Sequence, residues 1–183
     1  VWARIALWLR WPLGLLALLA AGLAMVQARG MGINFLLSVL LLVWMADIAA
    51  YFAGRALGQR FIKVKLAPSI SPGKSWEGAL GGAVGVMLMA VLWVQCDAQL
   101  QPDSLSLFSH LAQGGWALLV LATLFLTAMS VLGDLVESLI KRSAGVKDSS
   151  QLLPGHGGVL DRIDALVPTL PLAMMLVSSV TVI

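Results

Sequence analysis

Between Ser138 and Asp164 the chain reads SLIKRSAGVKDSSQLLPGHGGVLDRID, a segment with the parts for phosphate chemistry. Lys141, Arg142, Lys147 and Arg162 supply positive charge and hydrogen-bond donors suited to phosphate. Around His156, the glycines Gly155, Gly157 and Gly158 lack a Cβ, so backbone N–H groups there can approach an anion closely. His156 reads either as a residue that orients or donates, or as part of a structural turn. Asp161 and Asp164, three apart, share a face where the last helix begins. Hard oxygen donors of this kind suit magnesium (Mg2+), which is usually held by one or two carboxylates plus substrate phosphates. Phosphate binders and magnesium ligands in one segment are what nucleotidyl or phosphoryl transfer requires.

Two further acidic positions stand out. Asp134 and Glu137 end an apolar stretch, where carboxylates oppose the helix dipole unless a cation sits beside them. Lys141 and Arg142 can supply that cation; a metal is the sharper alternative. Asp47 lies inside an apolar run, where a carboxylate costs roughly 2.5–3.5 kcal/mol on insertion scales. Its spacing from Tyr51, Gly54 and Gly58 puts all four on one helix face. Asp47 therefore either bonds to a neighbouring helix or lines a site. Asp97, Asp103 and His110 read as parts of an ordinary solvated connection.

The elements that must hold these residues are membrane helices. Of 183 residues, 60% are hydrophobic and only 11% are charged, which excludes a disordered chain and argues against a soluble domain. A single cysteine, Cys96, excludes an intrachain disulfide and a cysteine metal cluster. The net charge of +3 is no sign of nucleic-acid binding. Trp11–Ala28, Ile33–Gly54, Gly78–Cys96, Gly114–Gly133 and Ala165–Ile183 are each long and apolar enough to span. The expected fold is an all-α, polytopic transmembrane helical bundle of about five spans, forming one catalytic domain over residues 1–183. Alternating the loops puts every Lys and Arg except Arg29 on one side. The positive-inside rule then sets the loops at 55–77 and 138–164 in the cytosol. Trp93 and Trp116 read as interfacial anchors on the opposite side.

The segment Ser138–Asp164 resembles the CDP-diacylglycerol synthase family, also called phosphatidate cytidylyltransferases, with its S-x-x-K-R-x-x-x-x-K-D and P-G-H-G-G-x-x-D-R-x-D patterns. The stretches at Val131–Ser138 (VLGDLVES), Ala46–Arg55 (ADIAAYFAGR) and Ser71–Gly78 (SPGKSWEG) resemble it as well. The family is usually longer, with additional N-terminal spans, so the resemblance implies the C-terminal catalytic portion of such an enzyme.

That resemblance implies cytidylyl transfer from CTP to phosphatidate, giving CDP-diacylglycerol and pyrophosphate with magnesium. The implied metal acids fall on Asp134 and Asp161, with Asp164 in support. Lys147 and Arg162 join them as catalytic candidates. Lys74, Ser71, Lys141, Arg142, His156, Gly157, Gly158 and Asp47 are the substrate-binding candidates. A homodimer is a further family expectation, the sequence leaves a second, monovalent cation open, and nucleic acid is not an expected partner. The expected location is a bacterial inner (cytoplasmic) membrane, with the active site facing the cytosol. The nearest alternative is another CTP-using membrane enzyme, such as a polyprenol or phytol kinase. An ion-coupled transporter would explain Asp47 but not the glycine-rich loop among basic residues.

Overall fold

The computed structural model describes residues 7–152 and 157–181. It contains α1 (Leu7–Met31), α2 (Ile33–Leu57), β1 (Lys65–Ala67), β2 (Ser71–Ser75), α3 (Trp76–Leu100), α4 (Leu107–Gln113), α5 (Trp116–Ser143), α6 (Leu160–Ile163) and α7 (Leu166–Thr181). Five helical stretches, with α6 and α7 counted as one, are long and apolar enough to cross a membrane. The chain is a polytopic helical bundle, as its composition predicts. The spans run further than the charge-free stretches suggest: α5 continues past Asp134 and Glu137 to Ser143, carrying the acids and Lys141 on an unbroken helix.

α2 and α3 pack most intimately, and small residues explain why. A Cβ added at Gly82 would come within 2.8 Å of the Ala46 carbonyl oxygen; one at Gly78 would come within 2.9 Å of that of Ala50. Without a solvent-driven hydrophobic force in lipid, backbone approach of this kind supplies much of the association. The core continues through Phe35, Val39 and Leu42 of α2, Leu119 and Leu126 of α5, and Leu170, Ala173 and Val177 of α7, all buried. α1 leans against α7 and α2. It leaves most of its apolar surface exposed, as a lipid-facing helix does.

The segment at 97–113 is not a simple solvated connection. Asp97 belongs to the last turns of α3 and is 7% exposed. It accepts hydrogen bonds from the Asn34 amide (2.9 Å), the Ser106 N–H (3.0 Å) and the Ser109 hydroxyl (2.5 Å). Trp93 donates to Asn34 Oδ1 at 3.0 Å and so joins this network. Helix α4 buries Leu107, Phe108 and Leu111 and caps this end of the bundle. Asp103 is exposed, as expected.

At the opposite end, β1 and β2 form an antiparallel hairpin within the second polar loop. β2 runs directly into α3, with Ser75 as N-cap accepting from the Gly78 N–H at 3.1 Å. Glu77, in the first turn of α3, accepts from the N–H groups of Phe61 (3.1 Å) and Ile62 (2.8 Å). An acid here suits the positive helix end and ties the preceding loop to it.

Candidate active site

The glycine contacts between α2 and α3, and the hairpin leading into α3, bring two polar faces together. Asp47, Tyr51, Gly54 and Arg55 of α2 meet Gly73 and Lys74 of β2, and Val131 and Asp134 of α5, around a cavity of ≈ 600 Å³. Asp47 is exposed although it lies within a span. Ten residues separate it from the end of α2, so the cavity penetrates about 15 Å along that helix. Of the two readings open for Asp47, the cavity favours the site-lining one.

Lys74 Nζ lies 2.6 Å from Asp134 Oδ2 inside this cavity. The other Asp134 oxygen accepts from the Ser138 hydroxyl, one turn on, at 3.1 Å. Asp164, which follows α6, lies within Coulombic range of both Asp134 and Asp47. Its own Oδ1 accepts from the Ala165 N–H at 2.7 Å.

A second cluster sits where α5 ends and α6 begins. Lys141 Nζ bridges Glu137 and Asp161, at 2.5 Å from each. This is the cation that acids near the end of α5 require. Asp161 Oδ2 accepts three further hydrogen bonds, from the Ser149 N–H (2.9 Å), the Ser149 hydroxyl (2.8 Å) and the Gly158 N–H (2.7 Å). Gly157 has φ +80°, a backbone conformation that glycine adopts readily and that aims the next N–H at Asp161. Asp161 thus clasps the two ends of the glycine-rich loop.

The remaining predicted site residues are spread around these clusters. Arg142, Lys147 and Arg162 are exposed and do not line the cavity. Arg142 donates to the Val146 carbonyl at 3.5 Å. Ser71 begins β2, paired with Ala67, away from the cavity lining. His156 lies outside the described residues. Arg55, Ser149 and Glu77 were not singled out from sequence as site or supporting residues. Arg55 was findable, four residues from Tyr51 on the face that carries Asp47.

Magnesium can be tested against this donor set. Among the described residues, no three or more His, Cys, Asp or Glu side chains converge closely enough to hold a metal by themselves. Magnesium rarely needs such a cage, since water and phosphate complete its shell. Asp134 on the cavity wall is a hard-oxygen donor that fits such a site, and the charges of Asp47 and Asp164 act on it from nearby. Asp161 is more fully engaged, by Lys141 and three other donors.

Residues 3–180 match the model of the cytidylyltransferase family. The chain belongs to that family. It is 49% identical over 140 residues to the phosphatidate cytidylyltransferase of Haemophilus influenzae, covering 76% of this chain and 44% of that protein. With the phosphatidate cytidylyltransferase of Pseudomonas aeruginosa the identity is 44% over 166 residues, 90% of this chain and 55% of the relative. The Staphylococcus epidermidis protein of that name is 41% identical over 150 residues, 82% of this chain and 51% of its own length. The chain therefore spans about half the length of the relatives it matches.

Proposed function

We propose that this family member transfers the cytidylyl group of CTP to phosphatidate. The observation that carries the reading is the Lys74–Asp134 pair, at 2.6 Å, in a cavity lined by charged side chains that reaches into a membrane span. A charged site at that depth suits a reaction between a lipid head group and a water-soluble nucleotide. The relatives' name, phosphatidate cytidylyltransferase, gives the same acceptor and the same transferred group.

In this reading, an oxygen of the phosphatidate phosphate attacks the α-phosphorus of CTP. A new P–O bond forms as the bond to the pyrophosphate oxygen breaks. The attacking phosphate is already ionised near neutral pH, so no strong general base is needed. Lys74 holds a phosphoryl oxygen when it exchanges its Asp134 partner for substrate. Arg142, Lys147 and Arg162 gather the charge of the triphosphate from the cytosolic surface. Lys141 holds Asp161, which in turn fixes the backbone of Ser149 and Gly158 on either side of the intervening loop. Asp134 would hold Mg2+, with Asp164 in support; Asp161, the other acid expected at the metal, would join them by giving up its Lys141 partner. The ion, when bound, neutralises the charge that develops on the leaving pyrophosphate. The positive-inside rule puts this end of the bundle in the cytosol, and a bacterial inner membrane is the matching location.

The test uses the full-length protein in detergent with phosphatidate, magnesium and CTP labelled at either the α- or the γ-phosphorus. Label from the α-position should enter the lipid product and label from the γ-position should leave as pyrophosphate. Transfer of γ-label to lipid would instead identify a kinase.

A further inference from the structure

Two cations line the cavity in different states. Lys74 is paired with Asp134. Arg55 forms no ion pair among the described residues. Its Nη1 donates to the Tyr51 hydroxyl at 3.1 Å, one turn back on α2. Both side chains line the cavity and both are exposed. A guanidinium has five donors in a planar fork, so one bond to Tyr51 fixes the group and leaves most of the fork open.

The bland role for an arginine in the last turn of a helix is to offset the dipole there. Two features go beyond it. The guanidinium turns back toward Tyr51 and the cavity, while the nearby Gly54 carbonyl accepts from the Gly58 N–H at 2.9 Å. The cavity is also electrically graded. Asp47, Tyr51 and Arg55 follow one another at four-residue spacing, so Arg55 stands about 12 Å nearer the helix end than Asp47. On α2 the carboxylate of Asp47 stands deeper, within electrostatic reach of Asp134 and Lys74, and the unpaired cation stands nearer the rim. An anion entering from that end meets Arg55 first and is repelled from the unpaired acid beyond.

We propose that Arg55, oriented by the Tyr51 hydroxyl, is a phosphate-binding residue at the rim of this cavity. It takes the oxygens of a phosphoryl group in bidentate fashion, either from the nucleotide's triphosphate or from the lipid head. The proposal rests on reading this cavity as the reaction site, and deepens it by naming the residue that receives the incoming anion.

The test compares Arg55→Gln, Arg55→Lys and Tyr51→Phe in the full-length protein, with Arg60→Gln as the control. Arg60 is exposed and outside the cavity lining. Three quantities are measured: equilibrium binding of inorganic pyrophosphate, KM for CTP, and KM for phosphatidate. Losing a bidentate, charge-assisted contact should weaken at least one of them about tenfold or more in Arg55→Gln. Arg55→Lys keeps the charge but not the fork and should recover only part of that loss. Tyr51→Phe, which frees the guanidinium without touching the anion, should give a smaller loss in the same quantity. Arg60→Gln should match the parent. A loss confined to pyrophosphate and CTP assigns the residue to the nucleotide; a loss confined to phosphatidate assigns it to the lipid head. Unchanged values in all three for Arg55→Gln would overturn the proposal. Pyrophosphate binding does not depend on turnover. A protein that binds it through Arg55 yet transfers no label would refute the reaction and leave this site standing. Normal label transfer with an indifferent Arg55 would do the reverse.

Discussion

Asp161 accepts from Lys141, Ser149 and Gly158 at once, so its charge organises backbone from both sides of the glycine-rich loop. Asp161→Asn keeps the size but removes the charge that draws these donors. We expect limited proteolysis within residues 144–152 to speed up several-fold and turnover to fall with it. Asp148→Asn, exposed in the same loop, should change neither. Equal protease resistance in the Asp161 variant and the parent would remove the loop-clasp role. The importance of Asp134, Asp161 and Lys74 was legible from residue type and motif. Their partners were not. Nothing in the spacing says that Lys74 meets Asp134, or that Ser149 closes on Asp161, because those contacts depend on how the hairpin and the loop fold back onto α5. Arg55 was missed for a related reason: a basic residue after a span first reads as a topology signal.

At the scale of elements, the apolar stretches located all five spans, while the polar segments between them hid their own order. Ser106 and Ser109 near Asp97 look like solvation, yet they bond to a carboxylate withdrawn from water. The G-x-x-G-G-x-x-G run from Gly78 to Gly85 was a readable sign of close helix approach that composition alone passes over. Removing the Asp97 carboxylate would leave the Asn34 amide, the Ser106 N–H and the Ser109 hydroxyl without this acceptor. Each buried unsatisfied group costs about 1–3 kcal/mol. Asp97→Ala should therefore lower the Tm in detergent clearly, and Asp97→Asn less, since its amide oxygen still accepts. An unaltered Tm in Asp97→Ala would mean that the network contributes little to the cap.

The whole molecule is polarised. One end is closed by α4 and a satisfied hydrogen-bond network; the other gathers the hairpin, the glycine-rich loop and most of the charge. With Cys96 replaced by serine, a cysteine at Asp103 should react with an impermeant reagent added outside intact cells, and one at Gln151 should not. The reverse pattern would invert the membrane orientation. The central claim is that the membrane-embedded cavity around Asp134 is where cytidylyl transfer occurs. Its most direct test is the turnover of Asp134→Asn in the full-length protein, with α-labelled CTP and saturating phosphatidate, across a magnesium titration. Loss of one preorganised charge at the reacting centre should lower turnover about 100-fold or more, while the exposed Asp103→Asn leaves it unchanged. Near-normal turnover of Asp134→Asn at limiting magnesium would contradict the account.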